Sequence, residues 1–122
     1  MTNQRVLVVD DETKMQRVLE IMLKRMGHAV VCTGNGLEAL QSLQESPSDL
    51  IITDLRMPGM DGVTLLQEVS RIAGSTVRIV LSGYAGDALA GGAEHIADAV
   101  LSKPCHPEAL KAAIDTARTT HA

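Results

Sequence analysis

Five polar side chains stand where apolar runs end, and together they could do chemistry. Asp10 and Asp11 follow the run 6–9, Asp54 follows 50–53, Ser82 follows 77–81, and Lys103 comes just after 99–101. Three carboxylates brought into one cleft repel one another unless a cation sits among them. The atoms they offer are all oxygens, and no Cys or His is placed beside them. Oxygen-only coordination selects a hard ion, Mg²⁺ or Mn²⁺, over zinc. Mg²⁺ keeps waters and phosphate oxygens beside one or two carboxylates, so such a site suits a phosphoryl group. Lys103 adds a compact positive charge for an anionic oxygen, Ser82 adds a hydroxyl donor, and Gly83 leaves the approach uncrowded. A carboxylate can attack phosphorus to give an aspartyl phosphate. A metal and a lysine would neutralise charge on the group in transfer.

The elements that must position these residues alternate along the chain. Val6-Leu7-Val8-Val9 is apolar at every position, as in a strand covered on both faces of a parallel sheet. The stretches 29–32, 50–53, 77–81 and 99–101 supply four more strands. Met15, Val18, Leu19, Met22, Leu23 and Met26 recur at helical steps, and Gly27 stops that helix. Its methionines read as core packing rather than metal ligands. Leu37, Leu40 and Leu43 mark a second helix between Gly34-Asn35-Gly36 and Ser46-Pro47-Ser48. Val63, Leu66, Val69 and Ile72 mark a third, entered through Met57-Pro58-Gly59-Met60-Asp61-Gly62. There Pro58 and Gly59 shape the loop, while Asp61 and Gly62 read as turn and helix N-cap residues. The segment 85–97 is Ala-rich but carries Gly86, Gly91 and Gly92, each costing about 0.5–1 kcal/mol inside a helix. A short or mobile fourth helix is expected. Pro107 opens the fifth, carried by Leu110, Ala113, Ile114 and Ala117, with His106 at the N-cap place. Five βα units predict an α/β fold: a doubly wound, five-stranded parallel sheet with right-handed crossovers and helices on both faces. In such sheets ligands bind outside the carboxyl ends of the strands, where the five polar residues fall.

Composition narrows the function classes. The 122 residues suit one domain over 1–122, with 45% hydrophobic and 21% charged residues, so a core can carry the fold without staples. A net charge of −4 opposes a backbone-phosphate binder. Tyr84 is the only aromatic residue, so base stacking has no platform and no direct nucleic-acid partner is expected. Cys32 and Cys105 lie too far apart in sequence for a CxxC pair and read as small apolar residues in a reducing compartment. His28, His95, His106 and His121 have no metal-ligand spacing, which points to surface or capping roles. No secretory leader or membrane-length apolar run is visible, so a cytoplasmic protein without a membrane partner is expected.

Four segments, in order and each tied to a strand, carry a family resemblance. They are Val8-Val9-Asp10-Asp11, Thr53-Asp54-Leu55-Arg56-Met57-Pro58-Gly59-Met60-Asp61-Gly62, Leu81-Ser82-Gly83-Tyr84 and Leu101-Ser102-Lys103-Pro104. The chain resembles the receiver domain of bacterial two-component response regulators over essentially its whole length, which implies a flavodoxin-like receiver fold. The resemblance makes Asp54 the phosphoacceptor, charged from the phosphohistidine of a sensor histidine kinase or phosphotransfer protein. It makes Asp11 the direct metal ligand, Asp10 one acting through water, and the Arg56 carbonyl a further ligand, with Asp54 completing the protein set. Ser82 matches the hydroxyl that swings toward the phosphate, Gly83 follows it, and Lys103 pairs with the phosphate. Lys103-Pro104 matches a cis peptide. Arg56 and Tyr84 match positions that tune hydrolysis, and a long cation with a ring there is expected to slow it.

The family's fourth and fifth βα units form the output face, here a candidate homodimer surface through the fourth helix, fifth strand and fifth helix. One departure stands out. The family's aromatic switch position, three residues before the lysine, is Val100. Other readings stay open. An Asp-nucleophile hydrolase would use Asp10 with Glu12, but leaves Asp54 unexplained and lacks a capping domain. A flavodoxin-like nucleotide binder would need a Gly/Ser/Thr-rich cradle where Asp10-Asp11-Glu12 stands. A receiver acting only as a binding surface is the third. In isolation Asp10-Asp11 would read as an acidic helix start, and Lys103 as a solvated strand-end lysine.

Overall fold

A computed structural model of the protein describes residues 4–83 and 88–121, with side chains described outside 88–91. Each apolar run is a strand: β1 (Arg5–Val9), β2 (Ala29–Thr33), β3 (Leu50–Asp54), β4 (Val77–Ser82) and β5 (Ala99–Ser102). Helices alternate with them: α1 (Thr13–Arg25), α2 (Gly36–Glu45), α3 (Gly62–Ile72), α4 (Ala88–Ile96) and α5 (Pro107–Thr120). The strands pair in parallel in the order β2-β1-β3-β4-β5. The order reverses between β1 and β3, and this switch point is where ligands enter such sheets.

Four strands run one residue past their apolar stretch, through Thr33, Asp54, Ser82 and Ser102. Ladder pairing uses backbone groups alone, so a polar residue can complete a strand while its side chain leaves the core. Asp54 pairs in register with Leu81, and Ser82 with Ser102. Two of the predicted site residues are therefore fixed by the sheet itself rather than by a loop.

Alternate strand residues feed two cores. Val6, Val8, Leu50, Ile52, Ile79 and Leu81 pack with Leu19, Met22 and Leu23 of α1 and Leu110, Ile114 and Ala117 of α5. On the other face Leu7, Val9, Ile51 and Val80 pack with α2, α3 and α4 through Ala39, Leu43, Leu65, Leu66, Val69 and Ala93. Some helical stripes are narrower than their periodicity implies. Val18, Leu37 and Ile72 are 46%, 72% and 38% exposed. They lie at the edge of their helices' apolar stripe, where a three-residue step drifts off the face that meets the sheet. Met22 is buried, while Met15 and Met26 pack against the core from its margin.

The helix ends follow local chemistry. Gly27, just past the α1 C-cap at Met26, takes φ 94°, a conformation open to glycine. Asn35 accepts from the Glu38 N–H at 2.9 Å and so caps α2. Asp61 does the same for α3, accepting from the Thr64 N–H at 2.8 Å. His106 stands at the α5 N-cap without a side-chain capping bond. The fourth helix is short, at nine residues. Gly92 lies inside it, and a Cβ there would sit 3.7 Å from Val63, an ordinary contact. Gly92→Ala should therefore raise stability by about 0.5–1 kcal/mol, read as a higher urea midpoint at unchanged slope. A lower midpoint would mean that the α3–α4 contact has no room for the methyl.

Candidate functional site

The site assembles at the carboxyl ends of β1, β3, β4 and β5. Asp10 continues the β1–β2 ladder, its N–H donating to Thr33 O at 3.1 Å. Its side chain is fully buried. One carboxylate oxygen, Oδ1, accepts from the Glu12 N–H at 2.8 Å and so helps start α1. The other, Oδ2, is buried with no hydrogen-bond partner. Asp11 beside it is exposed. Asp54 ends β3 and is 7% exposed, and its Oδ1 accepts from the Leu55 N–H at 2.8 Å.

Carboxylate oxygens of Asp10, Asp11 and Asp54 all lie within 4.8 Å of one another. Lys103 reaches the same point from β5, with Nζ 3.2 Å from Asp54 Oδ1 and 3.8 Å from Asp10 Oδ2. Its backbone N–H donates to Ser82 O at 2.9 Å, which ties the lysine to the end of β4. Burial pushes the Asp10 carboxyl above its ordinary range. The Glu12 N–H and Lys103 pull it back, and Asp54 and Asp11 add repulsion. A single lysine therefore leaves the cluster short of positive charge.

These groups fit a hard divalent ion. Three carboxylates give an all-oxygen set, one buried oxygen lacks a partner, and exposed Asp11 leaves an open side for water or phosphate oxygens. The remaining expected residues are nearby in the fold. Arg56 lies exposed two residues beyond Asp54, and Ser82 is buried at the end of β4. A Cβ on Gly83 would meet nothing within 4 Å. The Lys103–Pro104 bond is cis. Tyr84 lies outside the described residues. Cys32 and Cys105 are free, and burial raises both thiols, so neither is a ready thiolate.

Two residues hold the site in ways the sequence reading does not give: it does not single out Gln16, and Gly62, read with Asp61 as turn and N-cap chemistry, is the first residue of α3 behind the Asp61 cap. Gln16, one turn into α1, donates its amide to Asp10 O at 2.7 Å and lies 3.3 Å from Thr33 O, pinning the β1 and β2 ends together. Gly62 opens α3 directly against β3. A Cβ there would fall 2.4 Å from Asp54 O and 3.0 Å from Leu55 Cα. Its N–H donates to Leu55 O at 2.8 Å and closes the loop after Asp54. The signal available was a glycine at a helix start where no left-handed turn was needed, which marks close backbone approach.

The family model of the response regulator receiver domain matches residues 6–115. The chain belongs to this family. Among curated relatives, this receiver domain is 36% identical over 104 residues to the response regulator receiver protein CpdR of Brucella abortus, covering 84% of this chain and 87% of that protein. It is also 36% identical over 115 residues to the probable transcriptional regulator ycf27 of Guillardia theta, covering 93% of this chain. There it spans 44% of the relative's length. Among solved structures, the chemotaxis response regulator CheY4 of Vibrio cholerae superposes with a TM-score of 0.85 at 28% identity, covering 95% of this receiver domain and 99% of that chain. The family and the flavodoxin-like fold expected from the motifs are thus found. Receiver domains are generally signalling domains rather than enzymes, and they typically bind Mg²⁺ at an acidic cluster of this kind. Among the described residues no helix is long and apolar enough to cross a membrane.

Proposed function

We propose that this receiver domain is a phosphorylation-dependent switch in which Asp54 accepts a phosphoryl group from a sensor histidine kinase or phosphotransfer protein. One observation carries the reading: Asp54 sits at the switch point within 4.8 Å of two further carboxylates and 3.2 Å from Lys103 Nζ. An oxygen of Asp54 forms the bond to phosphorus as the P–N bond to the donor imidazole breaks, and the imidazole keeps the electron pair and takes up a proton. The set Asp10, Asp11, Asp54 and the Arg56 carbonyl would hold Mg²⁺, or Mn²⁺ in its place. A bound ion would neutralise charge on the phosphoryl oxygens. Lys103, already paired with Asp54, is placed to pair with the phosphoryl group that replaces that contact. Ser82 supplies a hydroxyl from the neighbouring strand end. The reading makes the protein a phosphoacceptor with at most hydrolysis of its own phosphoryl group, working in the cytoplasm. Its output passes to an attached domain or an effector, and α4, β5 and α5 are the face read by that partner or by a second copy. Val100 stands exposed on β5 in place of an aromatic switch.

Incubation with acetyl phosphate and Mg²⁺ tests this. One added phosphoryl group is expected by intact mass, absent with chelator and absent in Asp54→Ala. Turnover without a lasting adduct would favour a hydrolase, a yellow sample a flavoprotein, and no adduct a binding surface only. The adduct should also be long-lived, because a long cation and a ring occupy the two positions, Arg56 and Tyr84, that tune hydrolysis in the family. Decay of the isolated phosphoprotein within seconds would overturn that, and Arg56→Ala should shorten the lifetime.

A further inference from the structure

A groove of about 270 Å³ lies between the end of α1 and α5, at the edge of the sheet opposite the acids. That location is fixed by His28, which precedes β2 and whose Nδ1 accepts from the Gln4 N–H just before β1, at 3.1 Å. The floor is apolar, made by Met26 and buried Ile114. The rim carries Arg25, Lys111 and Arg118, all exposed, against one acid, Asp115. None of the three cations lies within salt-bridge distance of a carboxylate among the described residues. Burial and then the Arg118 charge push His28 below its ordinary range, so the groove already disfavours a further proton. The chain as a whole carries −4, so this concentration of unpaired positive charge runs against its average.

We propose that this groove docks an acidic peptide segment of a partner protein, with one large apolar side chain on Met26 and Ile114 and flanking carboxylates on Arg25, Lys111 and Arg118. Charge complementarity chooses the acidic partner, since its carboxylates would neutralise cations that no described residue neutralises. The apolar floor chooses peptide over nucleic acid. A phosphate backbone needs a broad basic surface and gains little from a small apolar pit. Docking here is independent of the phosphoryl chemistry of Asp54, which lies at the other end of the strands.

The probe is a short fluorescent peptide of Glu and Asp residues around a single Leu, titrated into the full chain and followed by ¹⁵N amide shifts. Shifts are expected at 25–28 and 111–118 and not at 10, 11 or 54, with binding weakened by salt. Arg25→Glu with Arg118→Glu should weaken binding at least about tenfold with the melting temperature held, since both side chains are exposed. A peptide with Ser in place of Leu should bind several-fold more weakly. Unchanged affinity in the double variant, shifts centred elsewhere, equal binding of the Ser peptide, no binding at millimolar peptide, or tighter binding of a duplex oligonucleotide would each overturn the proposal. Asp54→Ala should leave the titration unchanged.

Discussion

Without divalent ions at pH 7, Asp10→Asn should be more stable than the wild-type chain. Asp10 is fully buried, one of its oxygens has no hydrogen-bond partner, and two other carboxylates crowd it. Lys103, 3.8 Å away, opposes this but does not win, because the net of all these effects raises the carboxyl. An asparagine keeps an oxygen for the Glu12 N–H and removes the charge. The expected gain is about 1–3 kcal/mol, the cost of burying an acceptor without a partner. The sign with pH follows. The folded state holds the Asp10 proton more tightly than the unfolded chain, whose value is near 3.8. Asp10 therefore favours folding most below that value, and its contribution declines as pH rises toward the raised folded value. Chemical denaturation of both proteins across that window should show the advantage of Asp10→Asn growing with rising pH. Saturating Mg²⁺ should reverse the neutral-pH order, since an ion at 100 times its Kd adds about 2.7 kcal/mol to the protein that binds it. An Asp10→Asn chain that is less stable without ions would refute the account of the cluster.

The second large effect is structural. Gly62→Ala should cost about 3 kcal/mol, the upper end of ordinary overpacking, and lower the melting temperature by roughly 10 °C. The added methyl would run into the backbone at the end of β3, Asp54 O at 2.4 Å and Leu55 Cα at 3.0 Å, with no flexible side chain to give way. Replacing a helical glycine contributes only about 0.5–1 kcal/mol in the other direction. If the variant folds, α3 must retreat from β3, and the Asp54 carboxylate loses its setting against Leu55 N–H. Phosphoryl uptake from acetyl phosphate should then fall well below wild type. A variant that melts like wild type would show that α3 shifts away from β3 freely.

Much of this architecture was legible because strands buried on both faces are written as apolar runs, and every such run is a strand. The acids at their ends were legible for the same reason, since a polar residue where apolarity stops points at solvent or at a site. What sequence could not show depends on partners distant along the chain. Val18 and Leu65 illustrate this: periodicity favours the first, yet Val18 is exposed and Leu65 fully buried. Gln16 looks like a surface residue until the Asp10 carbonyl just after β1 is placed beside it. His121 closes α5 with Nδ1 2.8 Å from Asp98 Oδ2 and Nε2 2.9 Å from Gly74 O, contacts spanning 23 and 47 residues that no local pattern announces.

The strand order has a consequence for a growing chain. β1 is made first but lies between β2 and β3, so it has no complete set of neighbours until β3 follows. Lys103 comes after all three acids and directly follows β5, the strand at the far edge. A nascent polypeptide paused after β4 would gather three negative charges with no lysine to offset them. The last part translated thus supplies the counter-charge, and assembly of this end of the sheet should be a late event in biosynthesis.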